Sequence, residues 1–285
     1  PMDDFRSLWL VINAASGSND EDSAAQLAEC CARSGIRIER IIRFPDDDLP
    51  AARTLDEAGM PLVAVFAGDG TVNALVTSLY GWSGAVLVLP GGTKNLLFRR
   101  LHGERETQEV LDAVAAGATG RCRPAVIRCE RGDGLGGVMA GPGTAWADVR
   151  EAMRHADIAA MASGAAHAIE QSLAAPTIAC RDPALGREEG YPLLELTPGE
   201  AGFAVDAYYS ETVADYLAQG LALLKFDFRE GPSDRLGELE RLTVENCASE
   251  PIGLLIDGEP AEGGPKVQFE LAACEVDLLA SAFDE

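Results

Sequence analysis

The stretch Leu-Val-Ala-Val-Phe-Ala-Gly-Asp-Gly-Thr-Val-Asn, residues 62–73, decides the fold class of the chain. Its first six residues are apolar and predict a buried strand, because a short apolar run that ends at glycine is typical of a strand covered on both faces. The pattern over residues 72–80 then predicts a helix. A strand, a glycine-rich turn and a helix in this order form the unit from which parallel sheets are built.

The same unit recurs on either side of this stretch. Further strands are predicted at residues 8–12, 36–44 and 85–89, and further helices at residues 20–33, 95–101 and 107–116. Alternating strands and helices predict an α/β fold with a doubly wound parallel sheet, whose ligands bind beyond the carboxyl ends of the strands. We therefore expect a nucleotide-binding α/β domain over residues 1–121.

The pattern of predicted elements changes after Gly117. Short strand-like runs separated by glycine and proline are predicted at residues 124–129, 176–180, 193–196, 202–207, 222–228, 241–246, 252–256 and 267–271. They predict a β-rich, sandwich-like domain over residues 122–285, interrupted by one helical stretch at residues 144–173. Residues near 275–285 are expected to pack back on the first domain.

Charge and cysteine usage limit the classes of partner and compartment. Asp and Glu number 46 against 23 Lys and Arg, which gives a formal net charge of -23. This field repels polyanions, so no nucleic-acid partner is expected. The seven cysteines form no Cys-x-x-Cys pair, and no secretory signal or spanning apolar run is present. These features predict a cytoplasmic protein whose membrane contact is peripheral, at the inner face, and they are compatible with a homo-oligomer.

Three turns rich in small residues follow the predicted strands at one edge of the sheet. In the turn Gly68-Asp69-Gly70-Thr71, backbone amides can approach an anion, and the carboxylate of Asp69 suits a magnesium ion. The opening turn starts at Asn13, and the third turn covers residues 90–95, where Lys94 is either a partner for phosphate or a solvated side chain. The alternative for the central turn is a Gly-Asp-Gly turn without a ligand.

Two further carboxylates follow the predicted strand at residues 252–256. They belong to Asp257 and Glu259, which flank Gly258. One of them can accept the proton of an attacking hydroxyl group, which is the role of the general base in phosphoryl transfer. The alternative is a plain hairpin turn, since Asp-Gly is a common hairpin signal.

These segments, in this order, resemble the diacylglycerol kinase catalytic family, which includes bacterial lipid kinases and sphingosine kinases. The matching residues are Asn13, Ser16 and Gly17; Gly68, Asp69, Gly70, Thr71 and Asn73; Gly92, Thr93 and Asn95; and Asp257, Gly258 and Glu259. The resemblance implies ATP and Mg²⁺ as cosubstrates and the hydroxyl group of diacylglycerol or a related lipid alcohol as acceptor. It also implies that Glu259 is the base, assisted by Asp257, and that Asp69 organises the metal.

The sequence departs from the family pattern at four positions. Ala67 and Lys94 stand in place of glycines, Ala74 in place of a glutamate and Leu96 in place of an aspartate. The loss of two carboxylates leaves open a non-catalytic protein that binds nucleotide or lipid. A relative of NAD kinase or phosphofructokinase is a further alternative, because those families also use Gly-Gly-Asp-Gly, but the late Asp-Gly-Glu favours the lipid kinases.

Overall fold

The computed structural model describes residues 5–13, 20–145, 176–209 and 233–281. Its internal contacts divide the chain into two compact units. The α/β unit comprises Pro1–Pro124 and Ala273–Glu285, and the β-rich unit comprises Ala125–Ala272.

The α/β unit is built on a six-stranded sheet. Its strands are β1 (Ser7–Asn13), β2 (Arg37–Phe44), β3 (Leu62–Ala67), β4 (Ala85–Pro90), β5 (Gly120–Cys122) and β18 (Asp277–Ala280). They lie in the order β2-β1-β3-β4-β18-β5. The first five strands of this order are parallel to their neighbours, and only β5 runs antiparallel to β18. The prediction of an α/β fold with a parallel sheet is confirmed. The apolar runs predicted as buried strands, at residues 8–12, 62–67 and 85–89, form the strands β1, β3 and β4 of this sheet.

The helices of this unit follow the strands. They are α1 (Asp20–Arg33), α2 (Ala52–Glu57), α3 (Asp69–Ser78), α4 (Leu96–His102) and α5 (Thr107–Ala115). Helix α3 begins three residues earlier than predicted, since Gly68 is extended and accepts the Val72 N–H through its carbonyl oxygen at 3.1 Å. Asp69, Gly70 and Thr71 therefore belong to the first turn of a helix, whose unpaired N–H groups lie at this end.

The described part of the β-rich unit contains two six-stranded sheets. The strands are β6 (Ala125–Cys129), β7 (Gly132–Gly134), β8 (Val138–Ala140), β9 (Ile178–Asp182), β10 (Ala184–Leu185), β11 (Leu193–Pro198), β12 (Phe203–Tyr208), β13 (Ser233–Leu239), β14 (Arg241–Asn246), β15 (Ile252–Ile256), β16 (Glu259–Gly263) and β17 (Lys266–Ala273). One sheet has the order β10-β9-β14-β17-β6-β7 and the other the order β13-β12-β11-β8-β15-β16.

Both sheets contribute to one hydrophobic core. Val244 and Phe269 enter it from the first sheet, and Leu194 and Phe203 from the second. Along β12 the alternate residues Phe203, Val205 and Ala207 belong to this core, as expected for a half-buried strand. The predicted strand at residues 222–228 lies outside the described residues. So does the predicted helix at residues 144–173, except for Thr144 and Ala145, which belong to a short 3-10 helix, Pro142–Ala145.

The described ranges contain no candidate for a membrane-spanning helix. Within those ranges, no helix combines the length and the apolar character needed to cross a bilayer.

Candidate functional site

The turns after β3 and β4 touch each other through their backbones. The two strands are neighbours and end in register, with Ala67 opposite Pro90. A Cβ atom on Gly92 would lie only 2.6 Å from the Cα atom of Gly68, which is closer than real Cβ contacts allow. A glycine at position 92 is therefore required for the close approach of the two turns.

The third turn is closed by the side chain of Asn95. Its Oδ1 atom accepts the Gly92 N–H at 2.8 Å, and its Nδ2 atom donates to the Gly92 carbonyl oxygen at 2.9 Å. Asn95 is in the left-handed region, with φ 51°, which asparagine tolerates better than most residues. The side chain that was predicted to bind nucleotide thus shapes the turn, in which Thr93 is exposed and Lys94 is half-buried.

The carboxylate of Asp69 joins the starts of two helices. Its Oδ1 atom accepts the backbone N–H of Leu96, the first residue of α4, at 2.9 Å. Burial raises the pKa of the Asp69 carboxyl group, while the backbone N–H groups at the start of α4 and the charge of Lys94 oppose this increase. Asp69 therefore fixes the third turn relative to α3.

The end of β1 also reaches this region. The Nδ2 atom of Asn13, the last residue of β1, donates to the Oγ1 atom of Thr71 at 3.3 Å. Thr71 is buried, and Asn73 is half-buried on α3. Asn13 and Thr71 are thus brought together as parts of one edge of the sheet, while the predicted residues Ser16 and Gly17 lie outside the described part of the chain.

The described residues at this edge supply one carboxylate, that of Asp69, for a magnesium ion. Magnesium at phosphate sites takes one or two carboxylates together with phosphate oxygens and waters. Asp69 is the carboxylate that the motif supplies, but one of its oxygens already accepts the Leu96 N–H and the charge of Lys94 acts on it. Over the described residues, no group of three or more His, Cys, Asp or Glu side chains could hold a metal ion.

Asp257 and Glu259 lie on the hairpin between β15 and β16, where Ile256 pairs with Glu259. The Asp257 carboxylate accepts three backbone N–H groups, from Leu135 at 2.8 Å, Gly136 at 2.7 Å and Gly137 at 2.9 Å. These bonds give Asp257 the role of anchoring the hairpin to the loop between β7 and β8. Its predicted assistance in catalysis stays a prediction.

Glu259 differs from Asp257 in its surroundings. It is the first residue of β16, and its side chain is exposed. An exposed carboxylate at the start of a strand can contact a bound molecule without losing a structural bond. Its predicted role as the base therefore stays a prediction that the local geometry permits.

His102 is a buried polar residue that the sequence did not single out. Its side chain is completely buried at the end of α4, and its Nδ1 atom lies 2.8 Å from the Oγ atom of Ser281, which follows β18. Burial, together with the charge of Arg105, lowers the pKa of His102 to about 4, so the ring is neutral at pH 7. The contact joins the C-terminal strand to α4, and no local sequence pattern indicates it.

The fold is that of an α/β protein with an open parallel sheet, a class in which ligands bind beyond the carboxyl ends of the strands. Residues 7–126 match the family model of the diacylglycerol kinase catalytic domain. The predicted resemblance is therefore confirmed, and the match covers most of the α/β unit. Among curated proteins, no sequence match was found.

Solved structures of similar fold come from Bacillus anthracis str. Sterne. A diacylglycerol kinase shares 16% identity at a TM-score of 0.58, with 97% of each chain covered. A candidate diacylglycerol kinase shares 15% identity at a TM-score of 0.61, again with 97% of each chain covered. A second candidate shares 14% identity at a TM-score of 0.58, with 96% of this chain and 97% of the other covered. At these identities the likeness concerns the fold.

Proposed function

We propose that this protein is an ATP-dependent lipid kinase that phosphorylates a hydroxyl group of diacylglycerol or a related lipid alcohol. In this proposal the α/β unit binds the nucleotide and the β-rich unit binds the acceptor. The observation that carries it is the backbone contact between the turns at Gly68 and Gly92, beside the start of α3, within the segment that matches the kinase family model.

The start of α3 supplies the chemistry for binding phosphate. Helix α3 has ten residues, and its N-cap, Gly68, provides no side chain that would satisfy the first N–H groups. Such a helix end attracts an anion through its free N–H groups and through the helix dipole. The contact between the turns requires glycine at position 92, so the third turn lies beside this helix end.

The proposed reaction moves one phosphoryl group. The oxygen of the acceptor hydroxyl attacks the γ-phosphorus of ATP, the bond from that phosphorus to the bridging β-γ oxygen breaks, and ADP leaves with the bonding electrons. Glu259 accepts the proton of the hydroxyl group, a role that contributes about 10²- to 10⁴-fold in rate. Asp257 holds the hairpin that carries Glu259.

The test is transfer of radiolabelled phosphate from ATP to a panel of diacylglycerol, long-chain bases and other lipid alcohols. Glu259→Gln should lower kcat by about 10²-fold or more and leave the Kd of ATP unchanged, because it removes a role in the transition state. Glu262→Gln is the matched control, since Glu262 is another exposed acid on β16. Equal loss of activity in both variants, or loss of ATP binding in Glu259→Gln, would contradict the assignment of the base.

A non-catalytic nucleotide-binding protein is the second candidate. The engagement of Asp69 by the Leu96 N–H favours it, together with the apolar residues Ala74 and Leu96 in place of acids. This candidate is supported by ATP binding in the wild-type protein without transfer to any lipid alcohol. Transfer to NAD instead of a lipid would indicate the NAD kinase alternative.

A further inference from the structure

We propose that two copies of this protein associate in solution through β2 (Arg37–Phe44), the edge strand of the parallel sheet, with the two strands antiparallel. The contact is symmetric, and its twofold axis passes between Glu39 and Arg40. The inference goes beyond the proposed function, because it concerns a surface for a second copy of the chain and not the nucleotide or the acceptor.

Strand β2 has a neighbour on one side only. In the order β2-β1-β3-β4-β18-β5 it pairs with β1, and no other strand of the described ranges pairs with it. The outer side of an edge strand presents backbone N–H and C=O groups that can pair with another strand. The Arg43 N–H is bonded to Oδ2 of Asp47 at 2.8 Å, so the contact is centred on the residues before Arg43.

The exposed part of β2 includes apolar side chains. Ile41 is 39% exposed, and no other large hydrophobic side chain of the described residues is exposed. Ile38 is half-buried, and the two isoleucines pair with Leu8 and Leu10 of β1, so they lie on the same face of the sheet. In the antiparallel arrangement Ile38 of each copy lies opposite Ile41 of the other, which removes apolar surface of both from water.

The charges at the two ends of β2 complement each other when the strands are antiparallel. Charges on an edge strand prevent association when like charges face each other. The exposed Arg33 and Arg37 lie at the start of β2, whereas the exposed acids of residues 46–48 follow its end, beside Arg43. The antiparallel arrangement places the basic start of each copy opposite the acidic end of the other. A parallel arrangement would place like charges together, so the pattern selects the antiparallel one.

The centre of β2 is also complementary to itself. Glu39 of each copy lies opposite Arg40 of the other. Glu39 has no partner on β1, because the register shifts there, and its side chain is 37% exposed and accepts Nε of Arg37. The exposed Arg40 lies over the ring of Trp9, at 4.9 Å from its centroid. Exposed ion pairs add little affinity, so they set the orientation of a weak association.

The test is sedimentation of the wild-type protein and of two charge reversals, Glu39→Arg and Arg40→Glu, over a range of concentrations at low salt. The wild-type protein should form dimers with a Kd of about 10–100 µM, since one strand edge is a small interface. Each reversal places like charges opposite each other and should raise the Kd by about tenfold or more. An equimolar mixture of the two variants should dimerise like the wild-type protein, because opposite charges then face each other again.

Arg235→Glu is the matched control for the charge reversals. Arg235 lies on β13, another edge strand, with 62% of its side chain exposed, and it pairs with Asp206 as Arg37 pairs with Glu39. Its reversal should leave the Kd of the dimer unchanged. Ile41→Ser should raise the Kd about tenfold through the lost apolar contact. Thermal unfolding of each variant shows whether its fold is retained.

Three outcomes would overturn the inference. The first is a wild-type protein that stays monomeric at every concentration, which would leave the edge to a different partner. The second is a dimer whose Kd neither charge reversal changes, or one that Arg235→Glu weakens equally. The third is a loss of association in both reversals that mixing does not restore. The kinase proposal stands in each case, since none of its steps uses β2.

Discussion

The Asp257 carboxylate should be a main determinant of local stability in the β-rich unit. Its two oxygens accept three backbone N–H groups, from Leu135, Gly136 and Gly137, across more than a hundred positions of sequence. We expect Asp257→Asn to loosen this loop selectively. Asparagine adopts the positive φ of 49° at this position as readily as aspartate does, so the change tests the hydrogen bonds and not the backbone.

The magnitude follows from the geometry of the three bonds. Oδ1 accepts two of the N–H groups and Oδ2 accepts the third, that of Leu135. In the asparagine variant the amide oxygen can keep the first two, but its NH₂ group would face the Leu135 N–H, donor against donor. A hydrogen bond to a charged group contributes about 1.5–3 kcal/mol, so we expect a local loss of about 2 kcal/mol. Asp257→Ala removes all three bonds and should cost clearly more.

Hydrogen exchange measured by mass spectrometry is the direct assay. The amides of Leu135, Gly136 and Gly137 should exchange about ten- to thirtyfold faster in Asp257→Asn, since each 1.4 kcal/mol corresponds to a factor of ten. Glu262→Gln, on the same hairpin, should leave their exchange unchanged. Unaltered protection of these amides in Asp257→Asn and in Asp257→Ala would refute the idea that the carboxylate holds the loop.

Two further predictions concern the α/β unit. The unfolded chain protonates His102 below about pH 6.5 but the folded protein only below about pH 4, so stability should decrease by up to about 3 kcal/mol as pH falls through this window. Urea unfolding of the wild-type protein and His102→Asn at pH 7 and pH 5 measures this decrease in the free energy of unfolding. A variant with the same pH dependence as the wild-type protein would contradict the prediction. Gly92→Ala should destabilise the unit by about 1–3 kcal/mol through the clash with Gly68. Gly68→Ala, whose Cβ atom would meet nothing closer than 3.9 Å, should keep its thermal midpoint, and an equal loss in both would argue against the close contact.

The central strands of the parallel sheet could be predicted because their signal is local. Leu62–Ala67 is an unbroken apolar run between turn residues, and the structure gives the strand the same bounds. The helix Asp20–Arg33 likewise has a helical repeat and a following glycine, and its bounds agree with the prediction. Strand β13 (Ser233–Leu239) was not predicted, since its polar, partly exposed residues resemble those of a loop. Its strand conformation follows from pairing with β12.

The site was predictable as a set of residue types but not as a set of contacts. The glycines and polar residues of the turns follow strands, so their common edge could be inferred from the parallel sheet. The bond from Leu96 to Asp69 and the three bonds to Asp257 could not, because each joins residues far apart in sequence through a backbone N–H group. A backbone N–H group is present in every residue except proline, so a bond from it does not restrict the residue type and cannot be read from the sequence.

The hydrogen bond from the Leu96 N–H to Asp69 helps to hold the turns at the carboxyl edge of the parallel sheet. A carboxylate whose partner is a metal ion has no partner when the metal is absent, and the turn that carries it is then less constrained. Asp69 instead accepts the Leu96 N–H, and Asn95 closes the adjoining turn on Gly92, so both turns are held by bonds within the protein. Turns held in this way are ordered before any ligand binds, and preorganisation lowers the entropy lost on binding. The bond from the Leu96 N–H to Asp69 is therefore one of the contacts that hold the third turn against the start of α3.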